Sequence, residues 1–343
     1  MTMRLYVAAG GGGDAIAAAL LHDDPTTRPV ILTYAWERLI LDPVPGPRSV
    51  EDFEGLGQDV PGIAEILATT EARPPARSPL PRLTGTLNAR LFLLDPSGGA
   101  IGMHEQIRAA VDYFKPDEVT VIDVGGDIIA RGDEPGLRSP MADALVIAAV
   151  QDLGVLTRVW MAGPGLDGEL TEAETLARVD ELGGRLHRTL TSADTHNIGD
   201  ALDWHPTEAT RLLVAAARGY RGTVEIRDHG SLVKITDAST YVFALAPDQA
   251  EKENTLALEL KNVKTLSSAN AITLTCVGKS ELDYEFTKSR SRRSEPTEWR
   301  NLGTASDALA AARRRGAEYL TPRRLAELTG NSKVDTKNLL INT

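Results

Sequence analysis

Two glycine-rich turns, each carrying aspartate, hold the residues best suited to chemistry. The first is Gly10-Gly11-Gly12-Gly13-Asp14; the second is Asp123-Val124-Gly125-Gly126-Asp127. Glycine lets a backbone approach a ligand closely, and free N–H groups at a helix start favour an anion. The second turn opens an acidic stretch holding Asp123, Asp127, Asp133, Glu134 and Asp143, interleaved with Arg131, Arg138 and Ser139. Carboxylates so dense can coordinate a hard cation such as Mg²⁺ or Ca²⁺, bond sugar hydroxyls, or act as general base. Asp123 and Asp127 are therefore the candidate catalytic residues and candidate metal ligands, with Mg²⁺ the cofactor considered. Arg131 and Arg138 are suited to clamp a phosphate or carboxylate bidentately. Asp14 would repel a bare phosphate unless a metal or basic residue intervened. The pocket expected is thus a mixture of backbone donors and carboxylates, suited to a hydroxyl-rich or metal-bound ligand.

Short apolar runs must position these turns. Leu5–Ala9, Val30–Tyr34, Leu91–Leu94, Val119–Ile122 and Thr157–Met161 read as strands covered on both faces. Helical patterns alternate with them at Asp14–Leu21, Ile101–Phe114, Met141–Leu153 and Thr171–Leu182. Ser139-Pro140 reads as an N-cap and first helical residue, and Thr171-Glu172-Ala173-Glu174 as a capping box. The alternation predicts an α/β fold with a doubly wound, mostly parallel, Rossmann-like sheet. In such sheets ligands bind outside the carboxyl ends of the strands, where the strand order reverses. Strand three ends in Asp95-Pro96-Ser97-Gly98-Gly99 and strand five in Ala162-Gly163-Pro164-Gly165-Leu166-Asp167-Gly168. Glycine and aspartate are ordinary turn residues, and Asp14 alone reads equally as a helix cap. Taken together, the turns predict one ligand site. Its binding residues are Gly10 to Asp14, Ser97, Gly98, Gly99, Gly125, Gly126, Arg131 and Arg138. His104, one turn beyond Gly99, is a third catalytic candidate.

The expected organisation is an α/β ligand-binding domain over residues 1–250 and a mixed C-terminal extension over 251–343. A Pro-rich insertion at 42–81 interrupts the domain, with one short helix expected at Ile63–Ala68; a cover or a linker would both fit. Thr223–Ile226, Leu232–Ile235 and Thr240–Leu245 read as an antiparallel meander added to the sheet. A polar helix is expected near Gln249–Lys261, and final helices near Ala305–Arg315 and Pro322–Leu328. The alternating segment Ile272–Val277 predicts a packed Cys276, and the basic segment Lys288–Arg293 a solvated loop. His187, His196, His205 and His229 read as loop histidines more readily than catalytic ones.

Several classes are disfavoured. The formal net charge is -11, which argues against a nucleic-acid binder or an anionic-membrane protein. A single cysteine fits a reducing compartment. With no signal-peptide pattern and no long apolar run, a cytoplasmic, soluble protein is expected. No Lys-Ser/Thr pair follows the first turn, so it is not a P-loop. The dinucleotide pattern is formally met through Ala15, but strand two ends without an acid for a ribose hydroxyl. Glu37 would serve only if that strand ran longer, so NAD(P) is disfavoured.

At these turns the sequence resembles an uncharacterised α/β family, a domain of unknown function. The resemblance rests on Gly10–Ala15, on Asp123–Asp127 and on Leu137-Arg138-Ser139-Pro140-Met141-Ala142-Asp143-Ala144-Leu145. It implies a shared site and no particular reaction. The expectation is an enzyme acting on a small polar, nucleotide-like or phosphorylated metabolite by hydrolysis or group transfer. A non-catalytic small-molecule sensor is the alternative, and an NAD(P)-dependent oxidoreductase a lesser one. A homodimer is the default assembly.

Overall fold

A computed structural model describes residues 3–39, 41–227, 230–294, 304–330 and 337–343. The five expected strands form as β1 (Arg4–Ala8), β2 (Val30–Thr33), β6 (Arg90–Leu93), β7 (Glu118–Val124) and β8 (Leu156–Ala162). They pair in parallel in the order β6-β2-β1-β7-β8. Alternate residues serve opposite faces: Leu5 and Val7 join one core layer, Tyr6 and Ala8 the other. Helix α1 (Gly12–Leu21), apolar nearly all round, and α7 (Ala209–Ala217) cover the second face. On the first lie α3 (Gly99–Phe114) and α4 (Pro140–Ala149). Apolar faces on both sides of a parallel sheet require this double winding.

Chain direction sets the position of the site. From β1 the chain moves through α1 to β2 and then β6, and returns across the sheet to β7 on β1's other side. The order therefore reverses between β1 and β7. Ala8 pairs with Ile122 there, and the Ala9 N–H donates to the Ile122 carbonyl at 2.9 Å. The two glycine-rich turns thus leave adjacent strands side by side.

Other segments depart from expectation. Ile63–Ala68 contributes no helix but an edge strand, β4 (Ala64–Ile66), antiparallel to β6. Buried Ala64 and Ile66 flank half-buried Glu65, whose carboxylate pairs with Arg90 at 2.6 Å, so a two-residue period prevails over a weak helical one. Nearby, β3 (Phe53–Glu54) pairs with β5 (Glu71–Ala72), and α2 (Leu80–Thr86) returns the chain to the sheet. The insertion is anchored: Asp42 pairs with Arg48 at 3.2 Å, and the Arg48 N–H donates to the Ala35 carbonyl.

The expected three-stranded meander is divided between two sheets. β10 (Gly222–Ile226) and β11 (Ser231–Ile235) form a hairpin, whereas β12 (Tyr241–Leu245) inserts antiparallel between β8 and β9 (Arg185–Thr189). The hairpin is extended by β13 (Tyr319–Leu320) and β14 (Ile341–Asn342). His229 lies outside the described residues.

Helix α5 (Glu172–Glu181) starts with the expected Thr171 capping box, and the short α6 (Ala201–Trp204) precedes α7. The expected polar helix is two, α8 (Pro247–Glu253) and α9 (Thr255–Leu260), divided where the Asn254 side chain caps the second. Cys276 is exposed on α10 (Leu266–Val277), not packed in an alternating strand. A Thr265 N-cap and a left-handed Gly278 C-cap define that helix. Lys288–Arg293 falls within α11 (Glu281–Ser294), a helix and not a loop. The final α12 (Ala305–Arg314) and α13 (Pro322–Thr329) form as expected. Leu256, Leu260, Ala269 and Leu282 enter the same core layer as α3 and α4. No helix among the described residues is long and apolar enough to cross a membrane.

Candidate functional site

The reversal point opens into a cavity of about 470 Å³ lined by the first turn, by Asp123 and Asp127, and by later segments. α1 begins at Gly12, and Asp14 is not its cap. Its carboxylate turns back to accept the Gly10 N–H at 2.6 Å. The glycines are needed sterically: a Cβ on Gly11 would lie 2.9 Å from the Trp36 carbonyl oxygen, and one on Gly13 2.5 Å from Thr207 Oγ1. The second turn is equally constrained. Gly125 and Gly126 adopt φ of +125° and +115°, and a Cβ on Gly125 would collide with the Asp167 side chain.

On the floor, Asp123, Asp127 and Asp143 each offer an oxygen, all within 4.8 Å of one another. Asp123 is the penultimate residue of β7, Asp127 starts a 3₁₀ turn after it, and Asp143 lies in the first turn of α4. Asp167, from the β8 turn, stands close by. Asp123 Oδ2 and Asp167 Oδ2 are buried without a hydrogen-bond partner. Burial, reinforced by the neighbouring carboxylates, pushes all four well above the usual range. Asp14 is pushed up to about 7, again by burial, with the Gly10 N–H opposing. The donor set of Asp123, Asp127 and Asp143 is of the kind that could hold a hard cation.

The wall is built differently. Glu169 is buried, yet Arg227 at 2.9 Å, the Ser139 hydroxyl and the Arg138 and Ser139 N–H groups outweigh burial and hold it below its ordinary range. The Ser139 hydroxyl therefore serves Glu169, not the start of α4. The open N–H groups of α4, Met141 and Ala142, donate instead to Glu281 at 2.8 and 2.9 Å. Burial pushes Glu281 up to about 7. One helical turn on, Glu285 accepts from the Trp36 indole at 3.1 Å and the Gly46 N–H at 2.8 Å. α11 thus holds the segment after β2 at Trp36 and Gly46. Arg38, Arg138, Lys279 and Lys288 also line the cavity.

Some expected residues stand elsewhere. His104 Nδ1 lies 2.9 Å from the Ala149 carbonyl at the end of α4, outside the cavity lining. Ser97–Gly99 forms a turn capped by Asp95, with Gly99 pressed against Val263, also outside it. Arg131 turns outward to Glu181 at 2.6 Å. Gly125 and Gly126 shape the turn without lining the cavity; Gly126 packs on Thr175. Among the histidines, His205 is buried beneath Gly12, His187 stacks on Trp160 and His196 bonds its own turn. Conversely, Glu37, Asp167, Glu169, Glu281 and Glu285 join the site. Asp167, which lies in the strand-five turn itself, was the one most open to inference.

Fold and site together define an α/β protein with a carboxylate-lined cavity at the switch point of its sheet. The chain belongs to DUF1152, described as a protein family of unknown function, whose model matches residues 5–289. The matched span takes in α11 as far as Ser289, and so every carboxylate described above. No curated protein and no solved structure matches the chain.

Proposed function

We propose that the chain is a divalent-metal-dependent enzyme that hydrolyses, or transfers a group from, a small phosphorylated, nucleotide-like metabolite. One observation carries the reading: the Asp123, Asp127 and Asp143 oxygens converge within 4.8 Å, with Asp123 Oδ2 buried and unpartnered. A hard cation would satisfy that oxygen and polarise a phosphoryl group. Arg38, Arg138, Lys279 and Lys288 would hold the remaining negative charge of the substrate from the mouth. Asp14, titrating at about 7 beside the trio, suits a general base that takes the proton of the attacking water or hydroxyl.

The test has two parts. Mn²⁺ and Mg²⁺ are titrated into the full chain by calorimetry, without substrate; binding is expected, with its loss in Asp143→Asn. Absence of binding at millimolar metal would overturn the cation site. Turnover is followed by mass spectrometry of nucleotides and sugar phosphates. Asp127→Asn should abolish it while leaving the circular-dichroism spectrum unchanged, and an active Asp127→Asn chain would sink the assignment.

A further inference from the structure

In the sequence, strand two ends at Tyr34 without an acid and Glu37 would serve only if it ran longer; in the structure β2 ends at Thr33, four residues before Glu37. In the fold, the segment after β2 stays beside the first turn. The Trp36 carbonyl meets Gly11, and Glu37 lines the cavity with that turn. Glu37 is only 6% exposed. Its Oε1 is buried without a hydrogen-bond partner.

We infer that Glu37 accepts the vicinal hydroxyls of a ribose, making the Gly10–Gly13 end of the cavity the nucleoside subsite. Three observations converge on it. The strand order β6-β2-β1-β7-β8 places the end of β2 beside the β1 turn, where an acid can reach a sugar seated on the glycines. The unpartnered Oε1 costs free energy that a hydroxyl donor would recover. The Gly10 N–H is already taken by Asp14, so this turn contributes close approach more than phosphate binding. The phosphate end then points along the cavity to the Asp123, Asp127 and Asp143 trio. Trp36, whose indole is held by Glu285, lines the nucleoside end and offers an aromatic face to a base. A mononucleoside fits better than a dinucleotide, whose second half would meet the unpaired carboxylates of the floor.

This inference rests on the phosphorylated-metabolite reading for the orientation of the ligand and is tested apart from it. The four ribonucleoside 5′-monophosphates and their 2′,3′-dideoxy counterparts are titrated into the full chain with Mg²⁺ present. At least one ribonucleotide should bind, and its dideoxy counterpart roughly ten- to a hundredfold more weakly, the range of a hydrogen bond to a charged group. Glu37→Ala should bring the two affinities together, and Glu37→Gln should keep part of the difference. No binding by any ribonucleotide, equal affinities in the unaltered chain, or undiminished discrimination in Glu37→Ala would each overturn the inference. The unaltered-chain comparison needs no variant to fold. Because the metal titration above contains no nucleotide, loss of the cation site and loss of the ribose subsite are separate results.

Discussion

In chelator, the chain should lose thermal stability as pH rises from about 5.5 to about 8, and a divalent cation should reverse the loss. Asp14, Glu37 and Glu281 each titrate at about 7, with burial the main cause, against ordinary values of 3.8 for Asp and 4.5 for Glu. The folded state therefore holds these protons more tightly than the unfolded state. Their contribution is full below the unfolded values and is lost as pH climbs through 7. Over this interval each group accounts for about 2 kcal/mol, at ~1.36 kcal/mol per pH unit where only the folded form stays protonated. Water entry and mutual relaxation reduce the combined effect, so the three together supply roughly 3–6 kcal/mol. His205 opposes them. Burial pushes it down to about 3, so stability rises with pH up to the ordinary imidazole value, by about 1.4 kcal/mol from pH 5.5. Asp123, Asp127, Asp143 and Asp167 are raised as well and act with the first three. Glu169, held below its ordinary range, loses its contribution only at lower pH. Asp14, Glu37 and Glu281 set against His205 alone give a loss of roughly 2–5 kcal/mol, which the four aspartates can only enlarge. At about 2.1 cal/mol/K per residue, a chain of 343 residues shifts about 1.4 °C per kcal/mol, so Tm falls by roughly 3–7 °C. Scanning calorimetry in EDTA and in Mg²⁺ measures it, and the stabilisation by Mg²⁺ should grow with pH. A Tm in EDTA that is flat or rising over this interval would refute the reasoning, because these carboxylates would then be compensated within the fold.

Two substitutions separate the shape of the second turn from its charged surroundings. Gly125→Ala places a Cβ against Asp167 at φ +125° and should cost about 3 kcal/mol together with Mn²⁺ binding. Urea denaturation and metal titration read both, and a loss under about 1 kcal/mol would show that the turn repacks without strain. Arg131→Ala removes an outward pair with Glu181 and should leave metal and nucleotide affinity unchanged by calorimetry. A large loss of affinity would put Arg131 back in the site.

What the sequence disclosed and what it withheld have distinct physical origins. Leu5–Ala9 and Val119–Ile122 are continuous apolar runs, so the two strands that flank the reversal point, and the turns that leave them, follow from local chemistry. Asp123 and Asp127 share one turn and were legible for the same reason. Glu37 was visible but undervalued, because its place depends on a backbone path that leaves β2 and returns to Gly11. Arg131 had the right chemistry and the wrong direction, a choice set by Glu181 some fifty residues away. Glu281 lay furthest from inference: it reaches Met141 across 140 residues, and nothing local marks it.

That remote contact alters the meaning of the glycine-rich turns. An open helix start beside them would make an anion cradle. Here carboxylates of the chain itself occupy such donors: Asp14 at Gly10, Glu169 at Ser139 and Glu281 at Met141 and Ala142. An anionic substrate must displace them or arrive with compensating positive charge. Displacement would unfasten α11 from α4 and strand Arg227. Binding through a cation leaves every one of these bonds intact and satisfies Asp123 Oδ2 as well. The same crowding of carboxylates that lowers stability at high pH is therefore what, on the proposed reading, would favour a metal-borne phosphate over a bare one.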